Sequence, residues 1–328
     1  MDMYLACLRA VRKESSHGFA CMIGYRLSGH LRSACFVLWL AVFFLPNHAG
    51  AADIVARMDA LRQKPVKELQ AIIEKQFDEN RCLDVIDTAV VLSDKILNKR
   101  TFEWAVTKSY EGRCYLRLTD GPIKPQVQQD LTAKSLEMVQ EANAVFSRLP
   151  RKTPVVTHIL INLTAIADAN RFLAETADAE TYYPRAENAL TAASDIVEKH
   201  RDISRSALAG FIAMKTGDLY FSAAQRAEDR LGKSRRFKKA LREYRKAILY
   251  EYGSRKPQFE AWIIGRTSAV LESLGSLHGD EGYYRQAIAS YRAMLDVPGR
   301  SQSFLADLKT NLRIIVLHGK ATLASILS

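Results

Sequence analysis

The sequence has no H-E-x-x-H, no G-x-S-x-G and no C-x-x-C. The common signatures of metal-assisted, serine-nucleophile and dithiol chemistry are therefore missing. Histidine is sparse after residue 51: His158, His200, His278 and His318 stand singly, none with a second ligand at helical spacing. Each reads as a packing or surface residue. Sustained period-two alternation of β-branched residues is also absent, which excludes a sheet protein. Only one long apolar run occurs, so the rest of the chain is expected to be soluble.

That run is ACFVLWLAVFFL, Ala34 to Leu45, preceded by Arg26, His30 and Arg32 and followed by Pro46. Ala49-Gly50-Ala51 then supplies small residues before Ala52-Asp53. Basic start, short apolar centre and small-residue cleavage site together predict a secretory signal over 1–51. Twelve residues of helix span only about 18 Å against a hydrocarbon core of about 30 Å, so an uncleaved anchor is the alternative. Translation from Met22 would give a signal of ordinary length. Export, into the periplasm in a bacterial cell, is the expected localisation. The chain carries +11, and the leader holds five basic and two acidic residues, which leaves +8 on the mature part.

Two of the five cysteines, Cys82 and Cys114, survive removal of the leader. An even number in an oxidising compartment satisfies the condition for a structural disulfide. If 82–98 and 101–117 are antiparallel helices turning near Asn98-Lys99, the two cysteines differ in axial height by only about 3 Å. A bridge there would contribute roughly 3–4 kcal/mol. Two unrelated buried thiols are the other reading.

Apolar positions recur at three and four residues almost throughout, as in LDVIDTAVVLSDKIL at 83–97. The pattern predicts helices near 54–62, 66–78, 82–98, 101–117, 125–148, 155–172, 180–200, 203–226, 234–250, 258–277, 281–295 and 302–318. Gly121-Pro122, Pro150, Pro154, Pro257, Gly279 and Pro298-Gly299 mark the breaks. The expected class is all-α, with helical hairpins over 52–200 and over 201–328, the last helix serving as a cap.

AEDRLGKS at 227–234 comes close to the phosphate-binding G-x-x-x-x-G-K-[ST]. The first glycine is Ala227, Glu228 and Asp229 would oppose a triphosphate, and the upstream GDLYFSAAQR reads as helix rather than strand. A nucleotide site is not expected, and the stretch reads as a connection inside a hairpin.

The segment 271–298, LESLGSLHGDEGYYRQAIASYRAMLDVP, carries a repeat signature. Against W-x-x-L-G-x-x-Y…A-x-x-x-F…P, Leu274-Gly275 and Ala287 match, and Leu271, His278 and Tyr291 take the Trp, Tyr and Phe places. Tyr284 supplies the usual aromatic before Ala287, Pro298 closes the unit one residue early, and the segment resembles a tetratricopeptide repeat. Gly217-x-x-Tyr220 with Phe237-x-x-Ala240-x-x-x-Tyr244-x-x-Ala247 repeats it in split form, with about 11 residues more than the standard unit. Tyr183-x-x-Ala186-x-x-x-Leu190 is a weaker echo. The resemblance implies a solenoid of antiparallel hairpins, a superhelix whose first helices line a groove for extended peptides or partner proteins. By position it implicates Phe211, Met214, Asp218 and Phe221 in one unit, and Glu272 and Ser276 in the next.

The segment 226–256 holds twelve Lys and Arg against four Asp and Glu, a net charge equal to that of the whole mature chain. Around the helix 234–250 the charges Arg235, Arg236, Lys238, Lys239, Arg242, Arg245 and Lys246 surround one apolar face. Such a concentration calls for an anionic partner unless it is simply a solvated face. Outside the cytoplasm that means an acidic protein, an anionic lipid headgroup or a cell-wall polymer, ahead of nucleic acid. The expected function is therefore a non-catalytic scaffold without cofactor or metal. The alternatives are a peripheral membrane protein and a peptidoglycan-cleaving enzyme. Glu272-Ser273 resembles the Glu-Ser of exported transglycosylases, but the glycine-rich segment that should follow it is missing.

Overall fold

A computed structural model describes residues 50–200, 202–203, 206–250, 257–299 and 304–327. The leader, except for its last two positions, and the alternative start at Met22 lie outside the described residues. So do the last six positions of the basic segment.

Twelve helices make up the described chain: α1 (Gly50–Gln63), α2 (Val66–Asp78), α3 (Cys82–Lys95), α4 (Phe102–Leu118), α5 (Pro125–Phe146), α6 (Thr153–Thr176), α7 (Ala179–Lys199), α8 (Ala207–Arg226), α9 (Arg230–Leu249), α10 (Pro257–His278), α11 (Glu281–Leu295) and α12 (Phe304–Leu327). Among the described residues there is no strand. The all-α expectation holds.

The ends are set locally. Thr101, Asp178, Ser206, Asp229 and Asp280 cap α4, α7, α8, α9 and α11 by accepting from backbone N–H groups of the first turn. Proline, with no N–H to lose, stands in the first turn of α5 and α6. Gly279 closes α10 at φ +67°, a conformation that favours glycine, and its N–H donates to the Gly275 carbonyl at 2.8 Å. Several expected ends move by three residues or more, among them the starts of α1 and α8 and the ends of α3 and α6. Asp229 starts α9 four residues early, and α12 continues nine residues past His318, because Gly319 alone does not stop a run of good helix formers.

Each helix from α2 onward packs on the next. The other substantial contacts are between helices two apart: α1 with α3, α2 with α4, α4 with α6, and α6 with α8. One apolar core fills α1 to α6, and a second, around Phe237, Tyr244, Ile263, Leu274 and Tyr284, fills α8 to α12. Two small clusters, around Leu160 and Val197 and around Leu190 and Leu219, join them through α6, α7 and α8.

Three hairpins cross at a glycine. A Cβ on Gly112 would lie 2.8 Å from Val139, one on Gly217 2.7 Å from the Tyr244 ring, and one on Gly275 2.8 Å from the Tyr284 ring. The last two define the true register of the α8/α9 and α10/α11 hairpins. The sequence pattern aligned Phe237 with Tyr284. The crossing instead makes Tyr244-x-x-Ala247-Ile248 the counterpart of Tyr284-x-x-Ala287-Ile288, one heptad further on. Gly217 and Tyr244 are 27 residues apart where Gly275 and Tyr284 are 9 apart. The α8/α9 hairpin therefore extends by 18 residues beyond its neighbour, and AEDRLGKS lies in that extension.

Candidate functional site

The α8/α9 extension is built around Asp229. Its carboxylate accepts from the Gly232 N–H, so Gly232, Lys233 and Ser234 form the first turns of α9 rather than a phosphate-binding loop. Ser234 is buried and bonded to His278 at 2.8 Å, and Arg230 donates to the Leu277 carbonyl at 2.6 Å. The extension is thereby anchored to the end of α10.

Behind this turn, Phe237, Ala240, Leu241, Tyr244 and Ala247 bury one face of α9. Arg235, Arg236, Lys238, Lys239, Arg242 and Arg245 are exposed on the other, with Lys246 half-buried at its margin. Lys239 reaches Glu187 at 3.7 Å and lies 4.7 Å from the Tyr220 ring, and Arg242 meets Glu243 at 3.4 Å. Arg235, Arg236, Lys238 and Arg245 have no carboxylate partner among the described residues. Beside them a cleft of about 400 Å³ opens between α7, α8 and α9, lined by Tyr183, Glu187, Tyr220, Arg226, Arg236 and Lys239. The Tyr220 hydroxyl donates to Glu187 at 2.7 Å, and burial first, then that carboxylate, pushes its pKa up.

A second concavity of about 550 Å³ crosses α4, α6 and α8, with α6 in contact with the other two. Phe172, Phe211, Leu116 and Ile161 supply its apolar surface, and Arg113, Arg117, Arg171 and Lys215 its cations, with Asp120 and Asp168 opposing them. Lys215 pairs with Asp168 at 2.6 Å, and Arg171 with Glu175 at 2.8 Å. Glu175 in turn accepts from Ser222 at 2.5 Å, and Ser222 meets the Tyr183 hydroxyl at 2.8 Å. This chain of contacts ties α6, α7 and α8 together. Arg113 and Arg117 are different. Their guanidinium groups lie 4.3 and 3.8 Å from the Phe77 ring, and among the described residues neither has a carboxylate partner. Burial, and then the charge of Arg117, lowers the Arg113 pKa to about 10. The wall contributed by α4 thus carries uncompensated positive charge.

The six residues carried over from the repeat resemblance do not form one surface. Phe211 lines the concavity, and Ser276 is exposed and receives the Tyr284 hydroxyl at 3.3 Å. Met214 and Phe221 are buried at 5% and 7% exposure, so no open Phe-Met-Phe set exists. Both belong to the core packed against α9 and α10. Asp218 lies just beneath the surface, where the Tyr244 hydroxyl donates to it at 2.7 Å. Burial raises its pKa and that hydrogen bond works against the rise. Glu272 is held by Arg313 at 2.6 Å and Lys320 at 3.7 Å, and accepts from Tyr291 at 3.5 Å.

The pairing of α3 with α4 does bring Cys82 beside Cys114, but the expected bridge is not formed. Both are free, buried thiols. The neighbouring Cys114 lowers the Cys82 pKa, and Cys82 first, then burial, raises that of Cys114. His158 is sandwiched against Phe146, rings 5.2 Å apart and 11° from parallel, and burial lowers its pKa. Among the described residues no three His, Cys, Asp or Glu side chains gather as a metal site, and no helix is long and apolar enough to cross a membrane.

The arrangement offers two cationic concavities edged with aromatic rings. Sequence reasoning found the basic helix through its charge count. It missed Arg113, Arg117, Arg171 and Lys215, which are dispersed over three helices and converge only through packing. Comparison of the chain with family models, with curated proteins and with solved structures finds no match.

Proposed function

We propose that this protein is an exported, non-catalytic scaffold that docks acidic segments of partner proteins in the cell envelope. In this reading α4/α5, α6/α7, α8/α9 and α10/α11 are successive hairpins of a superhelix similar to tetratricopeptide repeats. Glycine at three of the four crossings and packing confined to near neighbours support that reading. The observation that carries the function is the exposed face of α9, where Arg235, Arg236, Lys238 and Arg245 lack carboxylate partners beside the aromatic-edged cleft. Like charges held so close raise one another's energy, and a polyanionic segment relieves the repulsion. The concavity edged by Arg113 and Arg117 lies on the first helices of these hairpins, α4, α6 and α8, and offers a second cationic surface.

Titration with a fluorescent poly-glutamate peptide tests this. Binding should weaken steeply with salt and be lost when Arg235, Arg236, Lys238 and Lys239 are changed to Glu. Peptide binding unchanged by that reversal would reject the docking face. Co-sedimentation with anionic vesicles in preference to the peptide would favour membrane attachment. Release of muropeptides from purified peptidoglycan would defeat the non-catalytic reading.

A further inference from the structure

We propose that the concavity across α4, α6 and α8 binds a single-chain amphiphile, with an anionic carboxylate or phosphate head at Arg113 and Arg117 and an alkyl tail running over α6 towards α8. None of the residues lining it belongs to α9, so binding there is independent of the α9 docking face.

Size and shape suit such a molecule. A volume of about 550 Å³ is that of a small-ligand pocket. Packed helices stand about 8–10 Å apart, so the concavity spans about 16–20 Å from α4 over α6 to α8. Apolar surface is laid along that span: Leu116 on α4, Ile161 and Phe172 on α6, and Leu208 and Phe211 on α8, all half-buried.

Charge is uneven along the same line. On α8, Lys215 is neutralised by Asp168 at 2.6 Å, and on α6 Arg171 is neutralised by Glu175 at 2.8 Å. On α4, Arg113 and Arg117 lie against the Phe77 ring, and Arg117 donates to the Phe77 carbonyl at 3.1 Å, but none of these partners is an anion. Asp120, just past the end of α4, is exposed, and among the described residues it pairs with neither arginine. Two guanidinium groups drawn together and partly out of water raise each other's energy. Burial, and then the charge of Arg117, already lowers the Arg113 pKa. An anionic head at that end relieves the strain of both charges.

The polar groups inside distinguish an alkyl tail from a peptide. An extended peptide brings an N–H and a C=O with each residue, and burying them unpaired is costly. The lining contains no Asn, Gln, Ser, His or Tyr. Its two hydroxyls, on Thr119 and Thr164, already donate to the Leu116 and Ile161 carbonyls at 2.6 and 2.7 Å. An acidic segment can reach the arginines at the rim, but the interior gives its backbone nothing to bond. An alkyl tail needs only apolar contact.

Isothermal titration calorimetry of the full chain with octanoate, decanoate and dodecanoate, each below its micellar concentration, tests this. One saturable site is expected, with affinity rising about tenfold for every two carbons added, as burial of each methylene contributes about threefold. Decanoate and decyl phosphate differ only in the head, and the tighter binder identifies it. 1-Decanol, without the charge, should bind at least about tenfold more weakly. Arg113→Gln and Arg117→Gln should each weaken decanoate about tenfold and leave 1-decanol unchanged, a split that loss of packing alone would not give. Ala207→Trp fills the concavity from an exposed position, so it should weaken both ligands with Tm unchanged. Decanoate binding should survive charge reversal at Arg235, Arg236, Lys238 and Lys239. No saturable binding, affinity indifferent to chain length or to Ala207→Trp, or equal losses of decanoate and 1-decanol in the arginine variants would each overturn the proposal. So would loss of decanoate binding on charge reversal of α9. Failure of the poly-glutamate titration beside intact decanoate binding would reject the docking face and leave this site standing.

Discussion

Tyr244 shows how one side chain can set both packing and electrostatics. Its ring fills the space left by Gly217, and its hydroxyl donates to Asp218 at 2.7 Å, so it can neither shift nor rotate freely. Gly217→Ala would ordinarily gain about 1 kcal/mol in a helix, but a Cβ 2.7 Å from a pinned ring costs more than that. We predict a net loss of about 1–2 kcal/mol in urea unfolding, and a less than additive cost when Tyr244→Leu is combined with it, because the ring that the new methyl strikes is then gone. If the single substitution stabilises the protein, the proposed register of the α8/α9 hairpin is wrong. His158 gives a second prediction. Burial depresses its folded pKa below the ordinary 6.5, so in acid the unfolded chain takes up a proton that the folded chain refuses. Its contribution is full above pH 6.5 and is lost as the pH falls below it, and His158→Gln should flatten that limb of the stability profile. At Cys82 and Cys114 the expectation is two titratable thiols after denaturation without reductant, as the free, buried pair requires.

At the scale of the element, α9 combines roles that a shorter helix could not. Its buried face holds the second core together, its first turn anchors to α10 through Ser234 and Arg230, and its outer face carries the charge. Charge reversal at Arg235, Arg236, Lys238 and Lys239 touches only exposed side chains. We therefore predict little change in Tm, at most about 1 kcal/mol of stability, alongside loss of the salt-dependent peptide binding. A large fall in Tm would mean that the charges serve the fold. Arg113→Gln differs because this guanidinium lies against the Phe77 ring. It should lower stability through lost packing as well as lower affinity for an acidic segment. Arg117→Gln should do both too, because that guanidinium lies 3.8 Å from the same ring and donates to the Phe77 carbonyl at 3.1 Å. Peptide affinity unchanged in both variants would remove these arginines from the docking surface.

Over the whole molecule, contacts run between near neighbours and the two large cores are joined only by small clusters on α6, α7 and α8. Such a row need not open as one unit. Hydrogen exchange should give α3–α5 and α9–α11 distinct opening free energies, and Leu190→Ala in a joining cluster should widen the difference. A single shared opening energy would show instead that the small clusters couple the cores fully.

The sequence alone determined the helical class and most helix ends, because period, proline and capping residues act within a few positions along the chain. It also determined the basic helix, since a run of lysine and arginine keeps its charge whatever it packs on. Glu228 and Asp229 argued against a phosphate loop before any coordinates did, and the cap made by Asp229 agrees. Only the tertiary structure decided that Met214 and Phe221 are interior, that Gly217 meets Tyr244 rather than a residue one heptad away, and that Arg113, Arg171 and Lys215 share one concavity. Each of these depends on which faces of separate helices meet. Successive heptads of a helix offer nearly equivalent faces, so a local pattern cannot choose among them, and close packing against a neighbouring helix can.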